Sequence, residues 1–169
     1  MSVAGAVVVM GAPGSGKSTV GVLLAERLGL PFADTDAVIE SRTGRTIGEI
    51  FVEDGEPAFR LLEEQVTGEL LAEPVVLALG GGAVLSAQTR AALVGHRVVW
   101  LKVGLSAAVA RIGLNAARPL LLGNVRGRLV KLLADRLPLY AECATEAVET
   151  DHLTPEAVVD RIVSGVRAA

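Results

Sequence analysis

The sequence predicts an α/β fold in which helices cover both faces of a parallel β-sheet. Two observations support this prediction. Short apolar runs alternate along the chain with longer stretches in which apolar residues recur at helical spacing. Glycine-rich turns follow two of the apolar runs. Because right-handed crossovers bring the carboxyl ends of parallel strands to one edge of a sheet, both turns should lie at that edge.

Five short apolar runs are predicted to be strands, at residues 6–10, 31–34, 75–79, 97–103 and 147–150. Helices are predicted where apolar residues lie at helical spacing, as Val20, Leu24 and Leu28 do. These helices cover 17–28, 35–41, 46–53, 57–71, 106–112, 128–136, 139–143 and 155–166, and Ser86 should cap another that ends at 94. The glycine-rich segment 113–127 is predicted to be mobile.

The composition indicates a soluble globular protein with a single domain over residues 1–169. Hydrophobic residues make up 51% and charged residues 21%, which argues against a disordered chain. The net charge of −3 argues against a nucleic-acid-binding protein. The apolar run 6–10 is too short to cross a membrane, and the single cysteine, Cys143, excludes an internal disulfide framework. We therefore expect a cytoplasmic protein that binds neither nucleic acids nor membranes.

The first glycine-rich turn, GAPGSGKST at residues 11–19, matches the phosphate-binding pattern G-x-x-x-x-G-K-[ST]. It lies between a predicted strand and a predicted helix, which is the context that this motif requires. Its backbone N–H groups and the positive end of the helix would bind phosphate oxygens. Lys17 would reach the β- and γ-phosphates, and the hydroxyl of Ser18 would bind Mg²⁺. The loop predicts binding of a nucleoside triphosphate and leaves the acceptor open.

Two aspartates end the second predicted strand, in the sequence FADTDAVIE. If strand geometry continues through Asp36, the spacing of two places Asp34 and Asp36 on one face, with Thr35 opposite. Two neighbouring carboxylates are costly to desolvate unless cations or donors hold them, and the phosphate loop would bring Mg²⁺. Asp34 would face the metal through water, and Asp36 would orient an acceptor hydroxyl and take its proton. Capping of the next helix by one aspartate, for example Asp36, is the alternative.

Helix 57–71 carries an arginine beside aromatic residues, which are scarce in this chain. Arg60 follows Phe59 and precedes Glu63 by three residues, so a helical ion pair could hold the guanidinium in place. An arginine near the rings of Phe51 and Phe59 suits the carboxylate of a small ring-shaped substrate. An ordinary surface ion pair next to two core phenylalanines is the alternative.

Residues 115–140 carry four arginines, Arg118, Arg126, Arg128 and Arg136. A glycine-rich flap with arginines can close over a phosphate donor, exclude water and neutralise the charge that spreads during transfer. The sequences RPLL and RLPLY favour such a role for Arg118 and Arg136. Arg126 and Arg128 are interpreted as residues of a solvated basic loop.

The third predicted strand runs into three glycines in the sequence VVLALGGGAV. Without side chains, Gly80, Gly81 and Gly82 would let a small carboxylate approach the backbone, and their N–H groups could bind its oxygens. A simple tight turn is the alternative.

The motifs together resemble those of shikimate kinases. GAPGSGKST, DTD, EPAFR, LGGGAV, ARPLL and RLPLY occur in the family's order over essentially the whole chain. The resemblance implies a three-layer α/β/α fold like that of the nucleoside monophosphate kinases, with a five-stranded parallel sheet, a substrate-binding helical region at about 35–63 and a lid at about 113–127. It also implies a monomer that phosphorylates the 3-hydroxyl of shikimate with ATP and Mg²⁺.

The resemblance implies roles for individual residues as well. ATP would be bound by Gly14, Ser15, Gly16, Lys17, Ser18, Thr19, Arg118 and Pro155. Shikimate would be bound by Asp36, Arg60, Gly81, Arg136, Phe51 and Phe59, with Glu63 steadying Arg60. The metal would be held by Ser18 and Asp34, while Asp36, Lys17 and Arg118 would act in catalysis. Leu153 stands where some relatives carry an arginine, so its contact with adenine would be apolar or through the backbone.

Two other functions fit parts of the sequence. Another small-metabolite kinase of this fold, such as a gluconate kinase or a nucleoside monophosphate kinase, would share the phosphate loop and differ in its acceptor. A nucleotide-binding switch without transfer activity would need no acceptor site. Asp36, Arg60 and Arg136 therefore argue against a switch.

Overall fold

The computed structural model describes residues 5–12, 14–104 and 125–168, and their strands form one parallel sheet. The strands are β1 (Val7–Met10), β2 (Phe32–Asp34), β3 (Val76–Ala78), β4 (Arg97–Lys102) and β5 (Glu146–Glu149). They lie in the order β2-β3-β1-β4-β5, and every neighbouring pair is parallel. The predicted five-stranded parallel sheet is confirmed.

The helices follow the predicted alternation closely. They are α1 (Lys17–Leu28), α2 (Thr35–Thr43), α3 (Ile47–Glu53), α4 (Glu56–Leu71), α5 (Ala87–Leu93), α6 (Val125–Cys143) and α7 (Pro155–Ala168), with a 3₁₀ turn at Ala83–Leu85. As predicted, the side chain of Ser86 caps α5, accepting a hydrogen bond from the N–H of Thr89. None of the helices in the described part of the chain is long and apolar enough to cross a membrane.

Helix α6 differs from the sequence prediction in two ways. One helix replaces the two predicted at 128–136 and 139–143, and it contains Pro138 in its interior. Proline usually breaks a helix, but here Arg136 and Tyr140 are buried on either side of it, and this packing outweighs local propensity. The helix also already includes 125–127, which were predicted to belong to the mobile segment. The predicted helix 106–112 and the rest of segment 113–127 lie outside the described residues.

Helices pack on both faces of the sheet, and the side chains of β1 show this directly. Val7 and Val9 contribute to a core that includes residues of α1 and α7. Val8 and Met10 point into a second core on the other face, which includes Tyr140 of α6. All four β1 side chains are buried, because a central parallel strand is covered on both sides. The predicted three-layer α/β/α arrangement is confirmed.

Helices α2, α3 and α4 share a smaller core of their own. Ile39, Ile50, Phe59 and Val66 are buried together there. Helix α2 begins at the carboxyl end of β2, since it follows that strand directly. The three helices cover the segment 35–63 that the resemblance assigns to substrate binding.

The carboxyl ends of β1, β2 and β3 lie side by side. In the sheet register, Val9 of β1 and Asp34 of β2 both pair with Ala78 of β3. The loop after β1, the aspartates after β2 and the glycines after β3 therefore meet at one edge. This confirms the expectation that the two glycine-rich turns share an edge of the sheet.

Candidate active site

The loop between β1 and α1 depends on glycine for its shape. Gly14 and Gly16 have φ angles of +82° and +89°, which L side chains rarely adopt. A Cβ atom added to Gly11 would lie 2.7 Å from the carbonyl oxygen of Leu101, so a side chain there would collide with β4. Lys17 Nζ donates hydrogen bonds to the carbonyl oxygens of Gly11 at 2.9 Å and Ala12 at 3.3 Å. The Lys17 side chain is thus folded back along the loop.

The loop leads into the amino terminus of α1, where no side chain of the described residues caps the helix. The first N–H groups of such a helix lack internal partners and attract anions. Ser15 is 2% exposed, and its buried hydroxyl has no hydrogen-bond partner in the described structure. Beside the loop lies a cleft of about 260 Å³, lined in part by Thr19, Leu153 and Pro155. Four of the predicted ATP residues therefore border one cleft, namely Ser15, Gly16, Thr19 and Pro155.

Asp34 connects the phosphate loop with α2. Its Oδ2 atom accepts a hydrogen bond from Ser18 Oγ at 2.9 Å. Its Oδ1 atom accepts from the N–H groups of Asp36 at 2.9 Å and Ala37 at 3.2 Å, which caps α2. The chain is helical from Thr35, in agreement with the predicted helix 35–41, so the condition that strand geometry continues through Asp36 is not met. The alternative, capping by one aspartate, is confirmed, but the choice of Asp36 was wrong because the capping residue is Asp34.

The pair Ser18 and Asp34 fits a magnesium ion chemically. Mg²⁺ prefers hard oxygen ligands and is commonly held by one or two protein side chains together with substrate phosphates. A hydroxyl and a carboxylate that already touch, at the start of the helix that follows the phosphate loop, provide such ligands.

Arg60 and Glu63 form the ion pair that their spacing predicts. Arg60 Nη1 lies 2.7 Å from Glu63 Oε1, and Arg60 Nη2 lies 3.3 Å from Glu56 Oε2. Glu63 is only 2% exposed, so this is not an ordinary surface pair. Phe59 is buried as well, its ring centroid lying 4.9 Å from that of Phe51 and 5.2 Å from Arg60 Cζ. Arg60 Nε is buried without a hydrogen-bond partner in the described structure, so one donor of the guanidinium is unsatisfied.

Burial raises the pKa of the Glu63 carboxyl, and the neighbouring Arg60 guanidinium only partly opposes this effect. Because the folded-state pKa is raised, the folded protein retains a proton that the unfolded chain has already lost. The stabilisation from this proton is fully present below the ordinary pKa of 4.5 and is lost as the pH rises through the raised pKa.

Glu63→Gln should therefore change how stability depends on pH. Between the ordinary pKa of 4.5 and the raised pKa, the free energy of unfolding of the wild type should fall more with increasing pH than that of the variant. Urea unfolding at a series of pH values measures this difference. Parallel curves for the two proteins, or a steeper fall for the variant, would contradict the environment described for Glu63.

The charged residues approach the glycines after β3 so closely that a side chain on either Gly80 or Gly82 would collide with them. A Cβ atom on Gly80 would lie 2.6 Å from Glu63 Oε2 and 3.3 Å from Asp36 Oδ1. A Cβ atom on Gly82 would lie 2.5 Å from both Nη atoms of Arg60. The glycines therefore do more than form a tight turn. Because they have no side chains, they leave room for the side chains of Arg60 and Glu63. The N–H of Gly80 donates to Thr35 Oγ at 2.9 Å, so it is not free to bind a carboxylate as the sequence suggested.

Gly82→Ala should displace the guanidinium of Arg60, because the added methyl group would occupy its position. Because an arginine side chain can move, the protein should still fold. The KM for the carboxylate acceptor should rise by about tenfold, because one charge-assisted hydrogen bond is lost. Gly68→Ala is the matched control, because Gly68 lies within α4 and no described atom outside its own helix backbone lies within 4 Å of the added Cβ, so KM should remain unchanged. Equal KM values in both variants would show that Arg60 does not depend on this space.

Arg136 lies on α6 and is 7% exposed. Burial lowers the pKa of its guanidinium, which interacts electrostatically with Tyr140, Arg60 and Glu63. The hydroxyl of Tyr140 donates a hydrogen bond of 2.6 Å to the carbonyl oxygen of Gly81. The fold thus places Arg136 at the same site as Arg60, although the two residues are far apart in the sequence.

Two residues of this site, Thr35 and Tyr140, had no functional interpretation from the sequence. Their only signal was proximity, since Thr35 lies between the two aspartates and Tyr140 lies one helical turn after Arg136. Of the other predictions, Arg118 lies outside the described residues, and the side chains of Arg126 and Arg128 are outside them as well. Pro155 is exposed at the start of α7 and lines the cleft beside the phosphate loop.

Comparisons with known proteins agree on one family. A family model described as shikimate kinase matches residues 13–167. A shikimate kinase of Thermobifida fusca is 56% identical over 163 residues, covering 96% of this chain and 95% of that protein. One from Salinispora arenicola is 57% identical over 150 residues, covering 88% of this chain and 90% of the relative. A structure of shikimate kinase from Acinetobacter baumannii in complex with shikimate has a TM-score of 0.95 at 36% identity, covering 99% of this chain and 95% of the other.

Proposed function

This chain belongs to the shikimate kinase family, and we propose that it transfers the γ-phosphoryl group of ATP to the 3-hydroxyl of shikimate. The observation that carries the proposal is the meeting of two arginines, Arg60 and Arg136, beside a glycine turn and next to a phosphate loop. A carboxylate acceptor needs such cations, whereas a nucleotide-binding switch does not.

The carboxylate of shikimate would be held by Arg60, Arg136 and the backbone of Gly81. Within the described part of the chain, the buried Nε atom of Arg60 has no hydrogen-bond partner, while Glu63 and Glu56 pair with its two Nη atoms. Hydrogen bonds between guanidinium and carboxylate are charge-assisted and among the stronger ones in proteins. Phe51 and Phe59 would provide an apolar wall for the ring, as part of the substrate-binding region 35–63.

Asp36 would orient the 3-hydroxyl and accept its proton as the phosphoryl group is transferred. Its carboxylate lies next to the glycine turn, 3.3 Å from the position of a Cβ atom on Gly80. Binding the acceptor carboxylate at one end of the ring and the hydroxyl at Asp36 would align the attacking oxygen. Such positioning, together with electrostatic stabilisation, supplies most of the rate enhancement in phosphoryl transfer, in which the protein does little covalent chemistry.

The phosphates of ATP would be bound by the N–H groups of the loop from Gly14 to Thr19 and by Lys17. Ser18 and Asp34 would hold Mg²⁺, which neutralises phosphate charge when bound. Adenine would lie in the cleft beside the loop, where Leu153 and Pro155 offer apolar contact. The lid at about 113–127, with Arg118 as a further phosphate ligand, remains a prediction from the sequence, as do a monomeric state and a cytoplasmic location.

A coupled assay of ADP release tests the proposal. Turnover with MgATP should depend on shikimate and should be much slower with gluconate or a nucleoside monophosphate. Turnover with gluconate or a nucleotide in preference to shikimate would identify a different small-metabolite kinase. Tight ATP binding without turnover on any of these acceptors would favour a nucleotide-binding switch and would overturn the proposal.

A further inference from the structure

The glycine turn after β3 cannot fix its own conformation through side-chain packing, because it has no side chains. In the part of the chain that the structure describes, two side-chain hydrogen bonds from other elements hold it instead. Thr35 Oγ, at the start of α2, accepts from the N–H of Gly80 at 2.9 Å. The hydroxyl of Tyr140, on α6, donates to the carbonyl oxygen of Gly81 at 2.6 Å. The turn is therefore attached to one helix on each side.

Both anchoring side chains are shielded from water. Thr35 is 0% exposed and Tyr140 is 1% exposed. A buried polar group that loses its partner cannot turn to solvent, so these hydrogen bonds strongly favour a single conformation of the turn. Burial also raises the pKa of Tyr140, which keeps its hydroxyl protonated and able to donate to the carbonyl.

Each anchor also lies next to a residue assigned to the acceptor. Thr35 lies between Asp34 and Asp36 in the first turn of α2. Tyr140 lies one helical turn after Arg136, and the guanidinium of Arg136 interacts electrostatically with it. The ring of Trp100 packs against that of Tyr140, with the centroids 5.8 Å apart. The two hydrogen bonds thus link the glycine turn with Asp36 on one side and with Arg136 on the other.

We propose that Thr35 and Tyr140 are positioning residues for the acceptor. They hold the Gly80–Gly81 backbone at a fixed distance from Asp36 and Arg136, so that the acceptor carboxylate and the reacting hydroxyl fit at the same time. The proposal rests on the function proposed above. It assigns to the two hydroxyl groups no contact with the substrate and no part in proton transfer.

Thr35→Val and Tyr140→Phe test the two anchors separately, since each removes a hydroxyl and nearly preserves side-chain volume. Each variant should raise the KM for shikimate by about 5- to 50-fold, as expected when a buried hydrogen-bonding group loses its partner. The KM for ATP should stay within about twofold of the wild-type value. A loss of stability alone would not separate the two KM values in this way.

Thr67→Val is the matched control for Thr35→Val. Thr67 is also 0% exposed, but its hydroxyl has no hydrogen-bond partner in the described structure. This variant should leave both KM values unchanged. Thr35→Ser retains the hydroxyl and should return the shikimate KM to within about threefold of the wild type, because the hydrogen bond to Gly80 can form again.

The double variant of Thr35 and Tyr140 tests whether both residues act through the same turn. Once one anchor is lost, the other constrains less, so the combined rise in shikimate KM should be smaller than the product of the two single effects. Thermal unfolding followed by circular dichroism identifies any variant that fails to fold. If one single variant does not fold, the other single variant and Thr35→Ser still test the positioning role.

The possible failures can be distinguished. Wild-type protein without shikimate-dependent turnover would overturn the proposed function itself. An active wild type whose variants keep the normal shikimate KM would leave the function intact and overturn the positioning role. Parallel increases in both KM values, or an equal effect of Thr67→Val, would also overturn it, since these results indicate general loosening of the fold.

Discussion

Asp36→Asn should lower kcat by about 10²- to 10⁴-fold, the range in which general acid–base catalysis contributes to enzymatic rates. Asparagine can still accept a hydrogen bond from the acceptor hydroxyl, but it cannot take up the proton. The KM for ATP should change little, because the N–H of Asp36, which donates to Asp34 and helps to cap α2, is kept in the variant. Steady-state kinetics with each substrate varied in turn measure both effects.

Asp160→Asn is the matched control for this change. Asp160 lies on α7 and forms an exposed ion pair with Arg27, with 64% of its side chain accessible. Exposed pairs of this kind contribute little to stability, so kcat should remain at the wild-type value. Nearly normal kcat in Asp36→Asn as well would remove Asp36 as the base and leave it, at most, as a residue that orients the hydroxyl.

Arg60→Ala should raise the KM for shikimate by about 10- to 100-fold, because a charge-assisted hydrogen bond to the acceptor carboxylate is lost. The KM for ATP should be spared, since Arg60 belongs to α4 rather than to the phosphate loop. The variant should also be less stable than the wild type. Removing Arg60 leaves the carboxyl group of Glu63 buried without its ion-pair partner.

Arg42→Ala is the control that shows whether removing any arginine from an ion pair has the same effect. Arg42 forms an ion pair of 2.6 Å with Glu69, and 48% of its side chain is accessible. Its replacement should leave both KM values and stability almost unchanged. A normal shikimate KM in Arg60→Ala would contradict the assignment of Arg60 to the acceptor.

Much of the fold could be predicted because its signals are local. Apolar periodicity predicts the strands and most helices, and a short sequence motif predicts the phosphate loop. Helix α6 was predicted as two pieces, because Pro138 is a strong local signal for a break. The burial of Arg136 and Tyr140, which overrides that signal, depends on contacts with distant parts of the chain.

The candidate site shows the same division between local and distant contacts. The pair Arg60 and Glu63 was predictable, because its residues are three apart on one helix. The anchors of the glycine turn were not, since Thr35 is 45 residues away from Gly80 and Tyr140 is 59 residues away from Gly81. The predicted strand 31–34 and helix 35–41 meet at the observed boundary, yet the sequence did not show that Asp34 rather than Asp36 caps α2, because the cap depends on which side-chain oxygen reaches the first N–H groups of the helix.

A crystal structure of the protein with shikimate and ADP tests most directly whether the acceptor lies between the two arginines. The carboxylate should lie within hydrogen-bond distance of the guanidinium groups of Arg60 and Arg136, next to Gly81, with the 3-hydroxyl at Asp36 and directed towards the phosphate loop. A shikimate molecule bound with its carboxylate away from both arginines, or with its 3-hydroxyl out of reach of Asp36, would contradict the proposed site.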